Sequence, residues 1–224
     1  MPEFPSTPLR DAPPEGVTRL FLTRHGSTEA NERKPFVLQG CEIDGPLTEL
    51  GREQSTAVGR ALREFQIHAV YSSPLRRAVE TATEIARHHQ LPVETVPDLR
   101  ECSVGQWEGQ SWDAIRERDP EGYEGFFANP VERPHPGGES YTDVLNRAAP
   151  AIRKILEDNT GRNVVVVAHN LVNRVFLAEY VGIELRHARK LRQMNCCLNL
   201  LHHHQGVTEL VTLNSVLHLD RLGQ

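Results

Sequence analysis

The sequence predicts an α/β fold: a three-layer sandwich with a mostly parallel central sheet, helices on both faces, a late antiparallel hairpin and a small helical lid. Three observations carry that expectation. Short apolar or β-branched runs alternate with stretches of helical periodicity through most of the chain. The run VVVVA at 164–168 is apolar at every position, as a strand covered on both faces requires. Two strand-like segments near the end, 197–204 and 207–215, flank Gln205-Gly206, a hairpin signal.

Taken in order, residues 1–16 carry Pro2, Pro5, Pro8, Pro13 and Pro14 with almost nothing to bury, and read as a flexible arm before a single domain over 17–224. Residues 18–23 (TRLFLT) form a first strand, followed by a long loop over 29–47. Thr48 caps a helix whose apolar face is Leu50, Ala57, Val58, Ala61, Leu62 and Phe65. A second strand covers 67–71. Ser73 then caps a helix with Pro74 at its first position and Ala78, Ala82, Ile85 and Ala86 inside. A third strand covers 92–99. From 110 to 138, short apolar patches around Trp112, Ile115, Tyr123, Phe126 and Phe127 predict a lid of short helices. A stronger helix covers 139–156, kinked or broken by Pro150 and ended by Gly161. After the valine strand, Asn170 caps a helix to Tyr180, with Gly182 as its stop.

Composition narrows the function. Of 224 residues, 25 are basic and 30 acidic, a formal charge of −5, which disfavours a nucleic-acid binder. No apolar run approaches the roughly 20 residues of a membrane span, and the N-terminus lacks the basic and apolar regions of a signal peptide. Cys41, Cys102, Cys196 and Cys197 show no zinc spacing, so free thiols in a reducing cytoplasm are expected. The 11 histidines suggest metal binding or pH sensing at first sight. The run His202-His203-His204, however, places no third ligand on one strand face, and reads as an exposed strand end.

In open α/β sheets, ligands bind beyond the C-terminal strand ends. Those ends carry Arg24-His25, Ser73 with Arg76 in the first turn of the next helix, Arg100-Glu101, and His169-Asn170. Arg24 and Arg76 offer planar forks suited to phosphate oxygens. A neutral His25 imidazole, its other nitrogen held by a backbone carbonyl near Gly26, can attack phosphorus and carry a phosphoryl group. A protonated His169 would stabilise charge on the phosphoryl oxygens. Glu101 can protonate the leaving alkoxide and then deprotonate water. No metal or cofactor is required, because two Arg and two His supply the positive charge. Asp44 reads as a turn residue before Gly45-Pro46, and Arg77 as a surface or salt-bridging residue. Arg133 and His135 read first as solvated loop residues, with reach to substrate from the lid as the alternative, and Trp107 and Trp112 read as packing.

These residues lie in blocks that resemble the histidine phosphatase (phosphoglycerate mutase-like) superfamily: TRHGSTEAN at 23–31, SSPLRRAVETA at 72–82, LRECSVGQWEG at 99–109 and VVVVAH at 164–169. Gln39-Gly40 and PLTELGREQ at 46–54 also fit, and the resemblance spans about 18–216. It implies a phosphohistidine mechanism with His25 as nucleophile and Glu101 as proton donor. By the same resemblance, Arg24, Arg76 and His169 bind the phosphoryl group, Asn31 contacts phosphate, and Gln39 and Gly40 lie beside the pocket. Asn170 departs from the Gly common at that position, and puts a side chain where substrate is selected. The C-terminal pattern and PGGES at 136–140 look most like the metal-independent phosphatase branches, and no Arg- and Lys-rich insert typical of the mutases is apparent over 110–138. The expectation is a cytoplasmic, metal-independent phosphomonoesterase acting on a small phosphate ester. A cofactor-dependent phosphoglycerate mutase and a non-catalytic phospho-ligand binder are the alternatives. A homodimer through the late hairpin stays open.

Overall fold

A computed structural model describes residues 8–222. Six strands form one sheet: β1 Thr18–Arg24, β2 Ile67–Ser72, β3 Val93–Thr95, β4 Asn163–Ala168, β5 Leu198–His204 and β6 Val207–Ser215. Their order is β3-β2-β4-β1-β5-β6. The first four run parallel, whereas β5 is antiparallel to both β1 and β6. The helices are α1 Glu29–Glu32, α2 Glu49–Leu62, α3 Arg76–Ala86, α4 Trp112–Arg118, α5 Pro120–Ala128, α6 Tyr141–Asp158 and α7 Asn170–Val181. The architecture is the sandwich expected from the sequence.

Strand alternation sorts the core into two layers. Leu20, Leu22, Val164 and Val166 face α6, α7 and the lid. Phe21, Val165 and Val167 face the other way, onto Val58 and Leu62 of α2 and Ala78, Ala82 and Ile85 of α3. All four valines of β4 are fully buried, the central position that an unbroken β-branched run predicts. The hairpin turns at Gln205 and Gly206, both at positive φ (49° and 78°), the conformation of a two-residue turn that matches strand twist.

Several boundaries differ from the sequence reading. The third strand is three residues long and passes into a 3-10 turn at Pro97–Leu99. Helix α3 begins at Arg76, with Leu75 rather than Ser73 as its cap. Helix α6 runs unbroken through Pro150, which is exposed. Helix α7 is capped by His169, and Asn170 is its first residue.

Residues 1–7 of the expected arm lie outside the described residues. Residues 8–16 are docked: the buried Arg19 donates from its NH1 nitrogen to the Leu9 and Asp11 carbonyls, and Pro13 is buried. The three consecutive histidines are not an exposed strand end. His203 is 8% exposed and pairs with Thr208 Oγ1, while His204 Nδ1 donates to the Gly16 carbonyl. Among the described residues, no helix is long and apolar enough to cross a membrane, and no group of three His, Cys, Asp or Glu is arranged to hold a metal ion. All four cysteines are free, and burial pushes the Cys196 and Cys197 thiols up to about 12 and 11.

The seam between α2 and the loop after β1 is the tightest contact near the sheet edge. A Cβ on Gly51 would overlap the Ser27 carbonyl, and one on Gly26 would meet Ser55 Oγ at 2.8 Å. Gly51→Ala should therefore lower stability by about 1–3 kcal/mol through overpacking. Gly45→Ala, with nothing within 4 Å of the added carbon, should leave the urea midpoint unchanged. Urea unfolding of the two variants checks the contrast.

Candidate active site

The C-terminal ends of β1, β2 and β4 converge because β4 pairs with both neighbours. The His25 N–H extends the β1–β4 ladder to the Ala168 carbonyl (3.1 Å), and the Ser73 N–H reaches the Val167 carbonyl (2.9 Å). The rings of His25 and His169 therefore lie 5.1 Å apart, tilted by 56°. Both are buried, at 2% and 0% exposure.

The hydrogen bonds assign the ring proton of His25. His25 Nδ1 lies 2.7 Å from the Gly26 carbonyl, which can only accept, so Nδ1 carries the proton and Nε2 keeps its lone pair. His169 Nε2 lies 2.7 Å from Ser73 Oγ. That hydroxyl also accepts from the Leu75 N–H, and with its second lone pair and its own proton it can serve either tautomer of the ring. His169 Nδ1 is buried and has no partner among the described residues. Burial first, then the nearby arginines Arg24 and Arg77, hold His25 well below the usual histidine range. His169 is lowered for the same reasons, burial foremost and then Arg77. Both imidazoles are neutral in the free protein. Burial and the neighbouring arginines thus disfavour a protonated His169 while no anion is present.

Two guanidinium groups frame the pair. Arg24 donates from NH1 to the Gln193 carbonyl (3.0 Å), and burial, opposed by Glu101, pushes its pKa down to about 10, so it remains a cation. The second is Arg77, not Arg76. Arg76 is exposed, ion-paired to Glu80 at 2.6 Å, and faces away from the histidines. Arg77 is fully buried, donates to the Gly40 carbonyl (2.7 Å) and the Ile43 carbonyl (3.2 Å), and shifts both histidines. The reason is helical phase. Starting α3 at Arg76 puts Arg77 on the buried ridge with Thr81 and Ile85, and Arg76 on the charged ridge with Glu80 and Glu84. Asp44 caps this helix by accepting the Arg76 N–H at 2.8 Å. Arg24 Nε, Arg77 Nε and His169 Nδ1 are all buried without partners. Unpaired buried polar atoms are costly, and these three, two of them guanidinium donors, are arranged as a multivalent anion would use them.

Glu101 stands beside them, 7% exposed. Its Oε1 accepts the Cys102 N–H (2.9 Å) and its Oε2 the Leu171 N–H (3.3 Å). Its backbone is clamped from α6. Arg147 donates to the carbonyls of Asp98 (2.7 Å), Arg100 (2.8 Å) and Glu101 (3.2 Å). Arg147 also grips both oxygens of Glu139, at 2.7 and 2.8 Å. Burial pushes the Glu139 carboxyl up, but the Arg147 hydrogen bonds, the Ser103 N–H and the charges of Arg147 and Arg100 together outweigh it and hold the group below its ordinary range.

The remaining sequence candidates are anchored in the segments around the site. Asn31 Oδ1 accepts from the Thr28 N–H (3.2 Å) and from Asn195 Nδ2 (3.1 Å). Gln39 bonds Thr28 Oγ1 (2.7 Å) and the Ile43 carbonyl (3.1 Å). Gly40 holds Arg77 through its carbonyl, and its N–H meets Glu108 (2.7 Å). Asn170 Oδ1 is buried without a partner, and with Glu101 the residue borders a cavity of about 280 Å3 under the lid. His135 lines that cavity, whereas Arg133 is exposed and off its wall. Trp107 and Trp112 pack in the lid's aromatic cluster. Sequence reasoning missed Ser73 as the partner of His169, and the Arg147–Glu139 clamp. The PGGES segment was the one available signal for Glu139.

Comparison with known proteins follows the same lines. A family model described as histidine phosphatase superfamily (branch 1) matches residues 20–216. A metal-independent phosphoserine phosphatase of Arabidopsis thaliana is 36% identical over 92% of this chain and 85% of its own length. A bifunctional protein of Mycobacterium tuberculosis is 38% identical over 75% of this chain, which spans 45% of that protein. Among solved structures, YhfR of Bacillus stearothermophilus superposes with a TM-score of 0.82 at 32% identity, over 90% of this chain and 99% of its own.

The two neighbouring arginines should separate in a histidine titration followed by NMR. Arg77→Gln removes a repulsion that lowers both rings, so their titration should move up toward the ordinary histidine value. Arg76→Gln should leave it in place. The clamp has a pH signature of its own. Glu139 is lowered by folding, so its stabilisation is present above the ordinary carboxylate range and is lost as pH falls through the folded value. Glu139→Gln should cost about 1.5–3 kcal/mol at neutral pH, and the gap to the natural chain should close on acidification, as read by chemical denaturation.

Proposed function

The chain belongs to the histidine phosphatase superfamily and is a phosphatase, and from that premise we propose that it hydrolyses a small phosphomonoester through a phosphohistidine on His25. The observation that carries this reading is the neutral His25 ring, with Nδ1–H fixed on the Gly26 carbonyl and Nε2 free, beside three unpaired buried polar atoms.

The chemistry proceeds in two steps. In the first, Nε2 attacks phosphorus and the bond to the leaving oxygen breaks, while Glu101 gives that oxygen its proton. Arg24, Arg77 and His169 stabilise charge on the three phosphoryl oxygens. The Gly26 carbonyl steadies the positive ring that forms. In the second step, Glu101 takes a proton from water, the water oxygen attacks phosphorus, and the P–N bond breaks to release inorganic phosphate. Charge is balanced by the protein's own cations, so the reading is metal-independent. The cavity beside Glu101 is where the leaving group must sit. Its 280 Å3 is near the lower edge of the ~300–1,000 Å3 of small-molecule sites, which supports a small substrate. The similarity to a phosphoserine phosphatase supports the same substrate scale.

The test is release of inorganic phosphate from a panel of small phosphate esters in excess EDTA. Turnover should persist with the chelator and fall at least ~1,000-fold in His25→Ala, as loss of a nucleophile requires. Acid quench of the natural chain with labelled substrate should trap an acid-labile phosphoprotein, absent in the variant. Full activity in His25→Ala overturns the reading. Isomerisation of a phosphoglycerate without phosphate release would return the mutase reading instead.

A further inference from the structure

The anion site accounts for the phosphoryl group but not for the cations on the far side of Glu101. Arg174, on α7, donates from Nε to the Leu191 carbonyl at 2.7 Å, which fixes the plane of its guanidinium. Its terminal nitrogens form no hydrogen bond or ion pair with a described residue. The group lines the 280 Å3 cavity together with Glu101 and Tyr141. Tyr141 is 5% exposed, and its hydroxyl has no hydrogen-bond partner among the described residues. Arg189 reaches the same cavity from the segment after α7, its guanidinium carbon 4.9 Å from the Phe127 ring centroid, and it too forms no ion pair among the described residues. Trp112, Phe126 and Phe127 add aromatic surface to the same lining.

Such a lining has a directional chemistry. Glu101 must stand next to the leaving oxygen, so whatever the phosphoryl group is attached to extends from Glu101 into this cavity. It then meets aromatic side chains, a fixed, unpaired guanidinium and a phenol. A planar fork held by its Nε leaves two parallel N–H groups, the complement of a carboxylate. An ammonium group finds no acidic partner there except Glu101, whose oxygens already accept two backbone N–H groups.

The geometry points to a carboxylate-binding subsite: the leaving alcohol of the substrate carries a carboxylate that Arg174 receives, with the Tyr141 hydroxyl beside it and Arg189 at the mouth. The subsite reads the carboxylate and the apolar body, and does not require an amine. This rests on the phosphatase reading above, because it is that chemistry which places the leaving group beside Glu101.

Matched ester pairs differing in the carboxylate test it. These are 4-carboxyphenyl phosphate against phenyl phosphate, and phosphoserine against phosphoethanolamine. In the natural chain the carboxylate-bearing member of each pair should have kcat/KM ~10- to 100-fold higher, the size of one charge-assisted bidentate pair. Arg174→Gln should bring that ratio close to one, chiefly by raising KM for the carboxylate-bearing ester. Arg174→Lys, which keeps the charge and loses the fork, should give an intermediate ratio and serves if the Gln variant does not fold. Arg189→Gln should lower the ratio less. Turnover of all four esters with no carboxylate preference, or a preference that survives in both Arg174 variants, overturns the subsite and leaves the phosphatase reading intact. Failure to release phosphate from any of the four sinks the phosphatase reading, and the subsite with it.

Discussion

The site depends on the position of β4 between β1 and β2. A parallel strand hydrogen-bonded on both edges fixes the axial register of its neighbours, so three chain segments far apart in sequence end at one level. The four buried valines make that register costly to change, since a shift by one residue would turn each to the opposite layer. Arg24-His25, Ser73 and His169 then follow as the next residues along their strands. No long side chain has to search for its place, so the histidines are ordered before a ligand arrives, with little entropy left to lose on binding.

That ordering sets up an electrostatic imbalance. Two guanidinium groups and two imidazoles share a largely buried volume; of the carboxylates near it, Glu101 is occupied by backbone N–H groups and the half-exposed Asp44 lies 3.7 Å from Arg77 at its edge. Protonating either ring would add a third positive charge, and burial resists it as well. The rings therefore stay neutral, and neutrality is what a nucleophile at phosphorus requires. On the proposed chemistry, a dianion entering the same volume would reverse the balance by pairing with both arginines and His169 at once. The feature that makes the empty site unfavourable is thus the one that gives selectivity for a doubly charged ligand. Such a site contributes to function at the expense of the folded protein's stability.

Much of this was legible in the sequence, because strand ends are short-range features. The VVVVA run marked the central strand, Arg24 ends β1, and His25 and His169 directly follow their strands, whereas Glu101 comes after the 3-10 turn that replaces the end of the expected third strand. The error at Arg76 has a different origin. Counting from Ser73-Pro74 put the helix start two residues early, and each residue of phase turns a helical side chain by about 100°. The pattern held the correction: Arg76, Glu80 and Glu84 form one charged ridge, while Arg77 shares its ridge with Thr81 and Ile85. An arginine on an apolar helix face signals a buried role, and helical phase is the safer guide than distance from a presumed cap. Other features were not legible, because they join residues through loops. The Gly40 and Ile43 carbonyls that orient Arg77 and the Leu191 carbonyl that orients Arg174 are backbone groups, which any residue supplies. The docking of residues 8–16 rests on Arg19, whose placement inside a strand reveals nothing about where its guanidinium goes.

Glu101 is where the two halves of the site meet, and its support explains why the division holds. The phosphoryl half is built on strand ends and shares the rigidity of the sheet. The selective half is built on α7, the segment after it and the lid, whose wall is aromatic packing. In the proposed chemistry, a proton donor serving both must not move when one half adapts to a different leaving group. Its backbone is tied to α6 by Arg147 and Glu139, and Glu139 in turn exchanges hydrogen bonds with Ser103, two residues beyond Glu101. The donor is therefore anchored to the core helix rather than to the lid. Changes in the lid can alter which ester enters without displacing the acid, and so selectivity and chemistry can vary separately on the same sheet.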